Sequence, residues 1–163
     1  MLATPHLLVG AALVAKTKRP WLGMLAAFAS HFVLDAIPHL DSHSLFGSPS
    51  GGPTRAEAIS TLLDVVVGAS LVLWLTACLP RRRLLLAGAF LAAVVDLVYN
   101  IPPWNAWLWA YPLTRPLGEL HYAIQHRVSP SNLPLGFVFQ FAISALAFGM
   151  LKTAKVLPPS NRG

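Results

Sequence analysis

Four stretches of the chain are apolar almost without interruption: 21–37, 57–79, 83–101 and 132–157. Each is long enough to cross or nearly cross a bilayer, because about 20 helical residues span about 30 Å of hydrocarbon. A fifth, 2–15, is shorter; it is a tilted span or a half-inserted helix, extended at its end by snorkelling of Lys16 and Lys18. Residues 16–30 could instead supply the basic and apolar parts of a signal peptide, with Ala27-Phe28-Ala29 at the cleavage site. The apolar run continues past that site and carries ionisable groups, which weighs against cleavage. The pattern predicts an all-α fold: a polytopic membrane bundle of about five transmembrane helices plus a short surface helix, forming a single integral membrane domain over 1–163.

Loop lengths and basic residues orient this scaffold. Nine of the 12 Lys and Arg fall in the connection after the first segment (Lys16, Lys18, Arg19), between the third and fourth (Arg81, Arg82, Arg83), and in the tail (Lys152, Lys155, Arg162). The other side holds Arg55, Arg115 and Arg127. Basic residues in short loops mark the cytoplasmic face, so the N-terminus is expected outside and the C-terminus inside a cell (inner) membrane. Trp104, Trp107, Trp109 and Tyr111 follow the fourth segment as an interfacial belt would. The outer connections, 38–56 and 102–131, are the long ones, where function usually resides. Residues 48–53 carry no apolar anchor and are expected to be mobile; 117–127 reads as the helix lying on the membrane surface. No internal repeat or low-complexity tract is present.

Composition agrees with a lipid solvent: 55% of the 163 residues are hydrophobic and 11% charged, with mean hydropathy +0.60. The net charge of +6 does not imply nucleic acid, because the basic residues form short runs between apolar segments rather than one face. The single cysteine, Cys78, excludes an internal disulfide and any CxxC metal site.

The chemistry lies in the six acids and six histidines, none of which falls in a cytoplasmic loop. Counted up from the cytoplasmic ends at about 1.5 Å per residue, His6, His31, Asp35, Asp64 and Asp96 all lie roughly 15–22 Å up their helices. A carboxylate near the bilayer centre costs about 2.5–3.5 kcal/mol even on the lenient insertion scale, and no Lys or Arg lies at that depth to pair with these. Histidines, protons or a bound cation must neutralise them. Such an oxygen and nitrogen set suits a divalent metal ion, Zn²⁺ or Mn²⁺ foremost, with His6, His31, Asp35, Asp64 and Asp96 as candidate ligands.

The densest motif is Ser30-His31-Phe32-Val33-Leu34-Asp35-Ala36-Ile37-Pro38-His39-Leu40-Asp41. His31 and Asp35 share a helical face one turn apart. Pro38 ends the helix and delivers His39 and Asp41 to its mouth. The structural alternative for His31 and Asp35 is a polar pair stitching helices together. His39, Asp41, His121 and His126 are the candidate proton-handling residues at the pocket mouth. Glu119, Tyr122 and His126 would share a helical face from which His121 points away. Asn100, one turn beyond Asp96, and Glu119 are candidates for orienting ligands. Glu57 reads as a helix-start acid and His43 as a loop residue. Nucleophile-elbow, P-loop and dinucleotide glycine patterns are absent.

Thr4-Pro5-His6-Leu7-Leu8-Val9-Gly10 and the run from Ser30 to Asp41 resemble the small bacterial membrane-bound metal-dependent hydrolases related to the LexA-regulated inner-membrane protein. The likeness covers mainly the first 45 residues, and Ser42-His43-Ser44 stands where that family carries a longer His-Arg-Gly…Thr-His-Ser element. The resemblance implies a helical membrane fold and a divalent-metal hydrolase, with His6, His31 and Asp35 at the family's motif positions. The expected function is hydrolysis at the extracytoplasmic surface, on a phosphoester or lipid-linked substrate, with membrane lipids as surroundings. The alternative is a cation or proton transporter, or an ion-binding membrane protein, using the same acids. A pathway would need polar groups in the cytoplasmic half of the helices, and that half is nearly bare.

Overall fold

Thr54 and Glu57 show how the longest helix begins: the Thr54 hydroxyl accepts from the Glu57 amide at 3.0 Å, and the Glu57 carboxylate accepts from the Thr54 amide at 3.4 Å. That reciprocal capping satisfies two of the amides a helix start leaves free, and it gives Glu57 the structural role expected of it. Prolines in the first turn open three other helices, where a missing N–H costs nothing. The computed structural model describes residues 1–47, 54–100 and 104–154. Residues 48–53, whose mobility was expected, residues 101–103, and Lys155 and Arg162 of the basic tail lie outside the described residues.

The order is α1 (Ala3–Lys16), α2 (Pro20–Asp35), α3 (Ser42–Phe46), α4 (Arg55–Thr76), α5 (Arg82–Asn100), α6 (Trp104–Ala110), α7 (Arg115–Ile124), a 3-10 turn (Pro130–Asn132) and α8 (Leu133–Thr153). No strand occurs among the described residues. Among the described residues three helices, α4, α5 and α8, are long and apolar enough to cross a membrane. The first two segments are helical where expected but shorter, with 14 and 16 residues.

Helix α1 is the centre of the bundle, packed against α5, α2, α8 and α4. Its sequence permits that position: Gly10 faces Gly88 of α5, and a Cβ on Gly10 would meet the Gly88 carbonyl and stand 2.7 Å from the Ala92 Cβ. Two helices this close need small residues at the crossing, as in membrane bundles generally. Leu8, Ala11, Ala12 and Val14 then bury against Val72, Leu75, Leu85, Ala89 and Leu151. Outside this core, Leu62, Leu63, Val66 and Val67 of α4 and Phe137, Val138, Phe141 and Leu146 of α8 are exposed. An apolar surface of that extent, unpartnered in the chain itself, suits contact with lipid.

Helix α1 also starts deep. Its first turn lies beside Asp64, nine residues into α4 and therefore about 13 Å along it, and beside Gln140 of α8. Its opening amides are thus half-buried, where an unpaired N–H is costly. The Asp64 carboxylate takes the Ala3 and Thr4 amides and the Thr4 hydroxyl, the last at 2.7 Å, while Gln140 Oε1 takes the Leu2 amide at 3.2 Å. At the opposite end, Lys152 lies 4.9 Å over the Trp74 ring, and Lys16 donates to Thr153 at 2.7 Å.

Candidate metal centre

Four helices converge on Asp35. It is the last residue of α2, fully buried, and one turn above His31 on the same face. From α1 comes His6, whose Nε2 stands 3.2 Å from Asp35 Oδ1. From α7 comes His121, whose Nε2 is 3.1 Å from Asp35 Oδ2 and 3.2 Å from Asp96 Oδ1 of α5. His31 Nε2 is 3.4 Å from Asp35 Oδ2 and 4.0 Å from Asp96 Oδ1. One ligand atom each from His31, Asp35, Asp96 and His121 lies within 4.8 Å of every other. His6, His31 and His121 are fully buried, and the Asp96 side chain is 27% exposed, so the cluster has one edge toward the outside.

The protonation pattern of His31 matters most. Its Nδ1 lies 2.9 Å from the Ala92 carbonyl oxygen, which can only accept, so Nδ1 carries the hydrogen. In the neutral ring Nε2 then presents a lone pair. That lone pair faces two carboxylate oxygens and has no hydrogen-bond partner, as is true of both nitrogens of His6. Lone pair against carboxylate is repulsive unless a proton or a cation lies between them. A backbone carbonyl fixing the far nitrogen is the usual second support of a ligating histidine. Tetrahedral donors with bonds of about 2.1 Å stand about 3.4 Å apart, close to three of the spacings here, 3.1, 3.2 and 3.4 Å, with His31 and Asp96 wider at 4.0 Å. The residues present therefore fit a bound divalent ion.

Without one, positive charge comes from two other groups. The Met1 amino nitrogen is 2.8 Å from Asp35 Oδ1. On His121, burial opposes the charged form, but the hydrogen bonds and charges of Asp35 and Asp96 outweigh it and push the pKa up to about 9. The Gln125 side-chain amide lies 2.9 Å from His121 Nε2. The Asn100 side-chain amide donates to Asp96 Oδ1 at 3.4 Å.

A short strap locks α7 over α2. The His126 amide donates to the Asp35 carbonyl at 2.8 Å, the His39 amide to the His126 carbonyl at 3.0 Å, and the Val128 amide to the His39 carbonyl at 2.9 Å. Arg127 pairs with Asp41 at 2.7 Å, and Asp41 also caps α3 through Ser44. Burial alone would raise the Asp41 pKa, but the Ser44 hydrogen bonds and the Arg127 charge hold it below the ordinary carboxylate range. His39 is fully buried; its Nδ1 donates to the Ile37 carbonyl at 2.8 Å and its Nε2 has no partner. Burial, helped by the Met1 amino charge, lowers its pKa to about 4 despite the Ile37 bond.

Several expected assignments are corrected. Asp64 lies at the right depth but faces the start of α1, so its oxygens are engaged as that helix's cap. Asp41 is held by Ser44 and Arg127, as a strap anchor rather than a proton carrier. His126 contributes only its backbone to the strap, and its side chain is exposed. Glu119 is exposed and pairs with Arg115 at 2.7 Å, away from any ligand. The surface helix ends at Ile124, so His126 is off it, and the face of α7 opposite Glu119 and Tyr122 turns His121 inward to the acids. Gln125 and Gln140 went unnoticed because neutral amides give no charge signal; a lone Gln within the apolar run of α8 was the available clue.

No protein-family model matches the chain, and no curated protein or solved structure gives a significant match.

Proposed function

We propose that the chain is a divalent-metal-dependent hydrolase of the membrane, with His31, Asp35, Asp96 and His121 holding the ion and the pocket open to the extracytoplasmic side. The observation that carries this is the buried His31 Nε2, its lone pair directed by the Ala92 bond toward two carboxylates. A divalent ion there, Zn²⁺ or Mn²⁺, would polarise an ester bond and make water a better nucleophile at neutral pH. In this account all five long segments cross a bacterial inner membrane, the Lys16, Arg81–Arg83 and Lys152 end is cytoplasmic, and the substrate is a phosphoester or lipid-linked ester reaching the Asp96 edge from the outer interface.

His39 manages the proton. It is neutral at physiological pH and leaves Nε2 free, four residues past Asp35 on the strap. It accepts the proton of the attacking water as the new bond to the water oxygen forms. As the ester bond breaks, it returns that proton to the leaving oxygen. Asn100 holds Asp96 in place.

The transport reading needs a polar route to the basic end. Beneath the cluster lie Leu8, Ala11, Val14, Val72, Leu75, Ala89 and Leu151, an apolar core, and the buried hydroxyls of Ser30 and Thr76 are each bonded to their own helix, at Ala27 and Val72. This favours the enzyme. The test is turnover of a phosphodiester in detergent micelles by Mn²⁺- or Zn²⁺-loaded protein. Wild type should hydrolyse it, chelator should stop it, and His39→Ala should lose turnover while keeping its metal. Loaded protein that is inert, yet moves the ion across sealed vesicles in a way Asp96→Asn blocks, would make it a transporter.

A further inference from the structure

The two carboxylates of the cluster divide their oxygens between two sides. Asp35 Oδ2 and Asp96 Oδ1 face His31 and His121, at 3.4 and 3.1 Å and at 4.0 and 3.2 Å respectively. Asp35 Oδ1 and Asp96 Oδ2 face the other way, toward His6 Nε2, at 3.2 and 3.9 Å. His6 stands outside the four-residue set, is fully buried, and leaves both ring nitrogens without a partner. Its ring stacks on that of His31, with centroids 4.5 Å apart and planes at 27°, so two near-parallel imidazoles address the same pair of acids through opposite oxygens.

From this we infer that the centre holds two divalent cations, bridged by Asp35 and Asp96, with His31 and His121 on the first and His6 on the second. The inference rests on the metal reading above and adds to it the number of ions and the role of His6. Paired catalytic ions stand about 3.5–4 Å apart, and two stacked rings at this separation aim one nitrogen at each. A single ion would leave Asp96 Oδ2 and the His6 nitrogen facing it without a cation, and Asp35 Oδ1 with the Met1 amino group alone, in a largely buried cluster where an unpaired charge is costly. The Met1 amino group, 2.8 Å from Asp35 Oδ1, shows that this second side accepts positive charge. Two ions also give the pocket a net positive floor, which suits the anionic phosphoester over a neutral ester.

The test is Mn²⁺ titration of chelator-stripped full-length protein in detergent, read by bound metal per chain and by electron paramagnetic resonance. Wild type should bind two Mn²⁺ per chain, with the spectrum of an exchange-coupled pair. His6→Gln should bind one, with the uncoupled six-line pattern, and remain folded by circular dichroism. A wild type that binds one uncoupled ion overturns the second position while leaving the metal reading intact. A folded His6→Gln that binds none also overturns it, because His6 would then belong to a single shared site. A wild type that binds no ion removes both. Should His6→Gln fail to fold, the wild-type count and coupling decide alone.

Discussion

Replacing Asp64 separates a structural carboxylate from a ligand. Its side chain holds the first amides of α1 and the Thr4 hydroxyl in a half-buried part of the bundle. Losing an N-cap costs about 0.5–2 kcal/mol, and hydrogen bonds to a charged group are worth about 1.5–3 kcal/mol. Because these describe overlapping contacts, Asp64→Ala should destabilise by about 2–3 kcal/mol. Asp64→Asn keeps one acceptor and should cost about 1 kcal/mol. In a chain of 163 residues, 1 kcal/mol moves Tm by about 2–4 °C, so the expected losses are about 5–10 °C and about 2–4 °C. Thermal unfolding in detergent gives the first number, and metal analysis of the same samples gives the second. Both variants should keep wild-type metal content, Asp64→Asn most clearly. An Asp64→Asn protein with unchanged Tm and no metal would refute the cap and restore Asp64 to the ligand set.

Two further outcomes are expected. Because the folded pKa of His39 is about 4 and the unfolded value about 6.5, the unfolded chain binds more protons between those limits, so stability falls on acidification across that window by up to about 3 kcal/mol. Tm measured from pH 7.5 to 4 should drop more steeply in wild type than in His39→Gln, and parallel curves would contradict the buried neutral imidazole. For orientation, with the exposed Cys78 first replaced by Ala, an impermeant thiol reagent on intact cells should label Ser50→Cys and spare Arg82→Cys; the reverse pattern would place the centre on the cytoplasmic side.

How much was legible in the sequence depended on which coordinate of a helix mattered. Hydropathy located every long helix, and residue counting put His6, His31, Asp35, Asp64 and Asp96 in one layer, because rise per residue is nearly constant. Depth is only one coordinate. Rotation about the helix axis separates Asp96, turned to His121, from Asp64, turned to α1, and rotation is set by packing such as the Gly10–Gly88 approach. The i, i+4 relation of His31 and Asp35 was readable since it is internal to one helix. His121 was not placed among the acids because its phase on α7 depends on the strap between 35–39 and 126–128, a tertiary pairing with no local signature. The short start of α1 likewise follows from Asp64 and Gln140, more than 60 positions away in sequence.

The claim that His31, Asp35, Asp96 and His121 hold a divalent ion is tested most directly by elemental analysis of protein purified without added metal or chelator, wild type beside Asp35→Asn and His121→Ala. The expected result is a stoichiometric amount of Zn or Mn in the wild type and at least a tenfold loss in each variant, with both still helical by circular dichroism. Wild-type protein free of divalent metal and unable to take it up, or variants that retain it in full, would contradict the account.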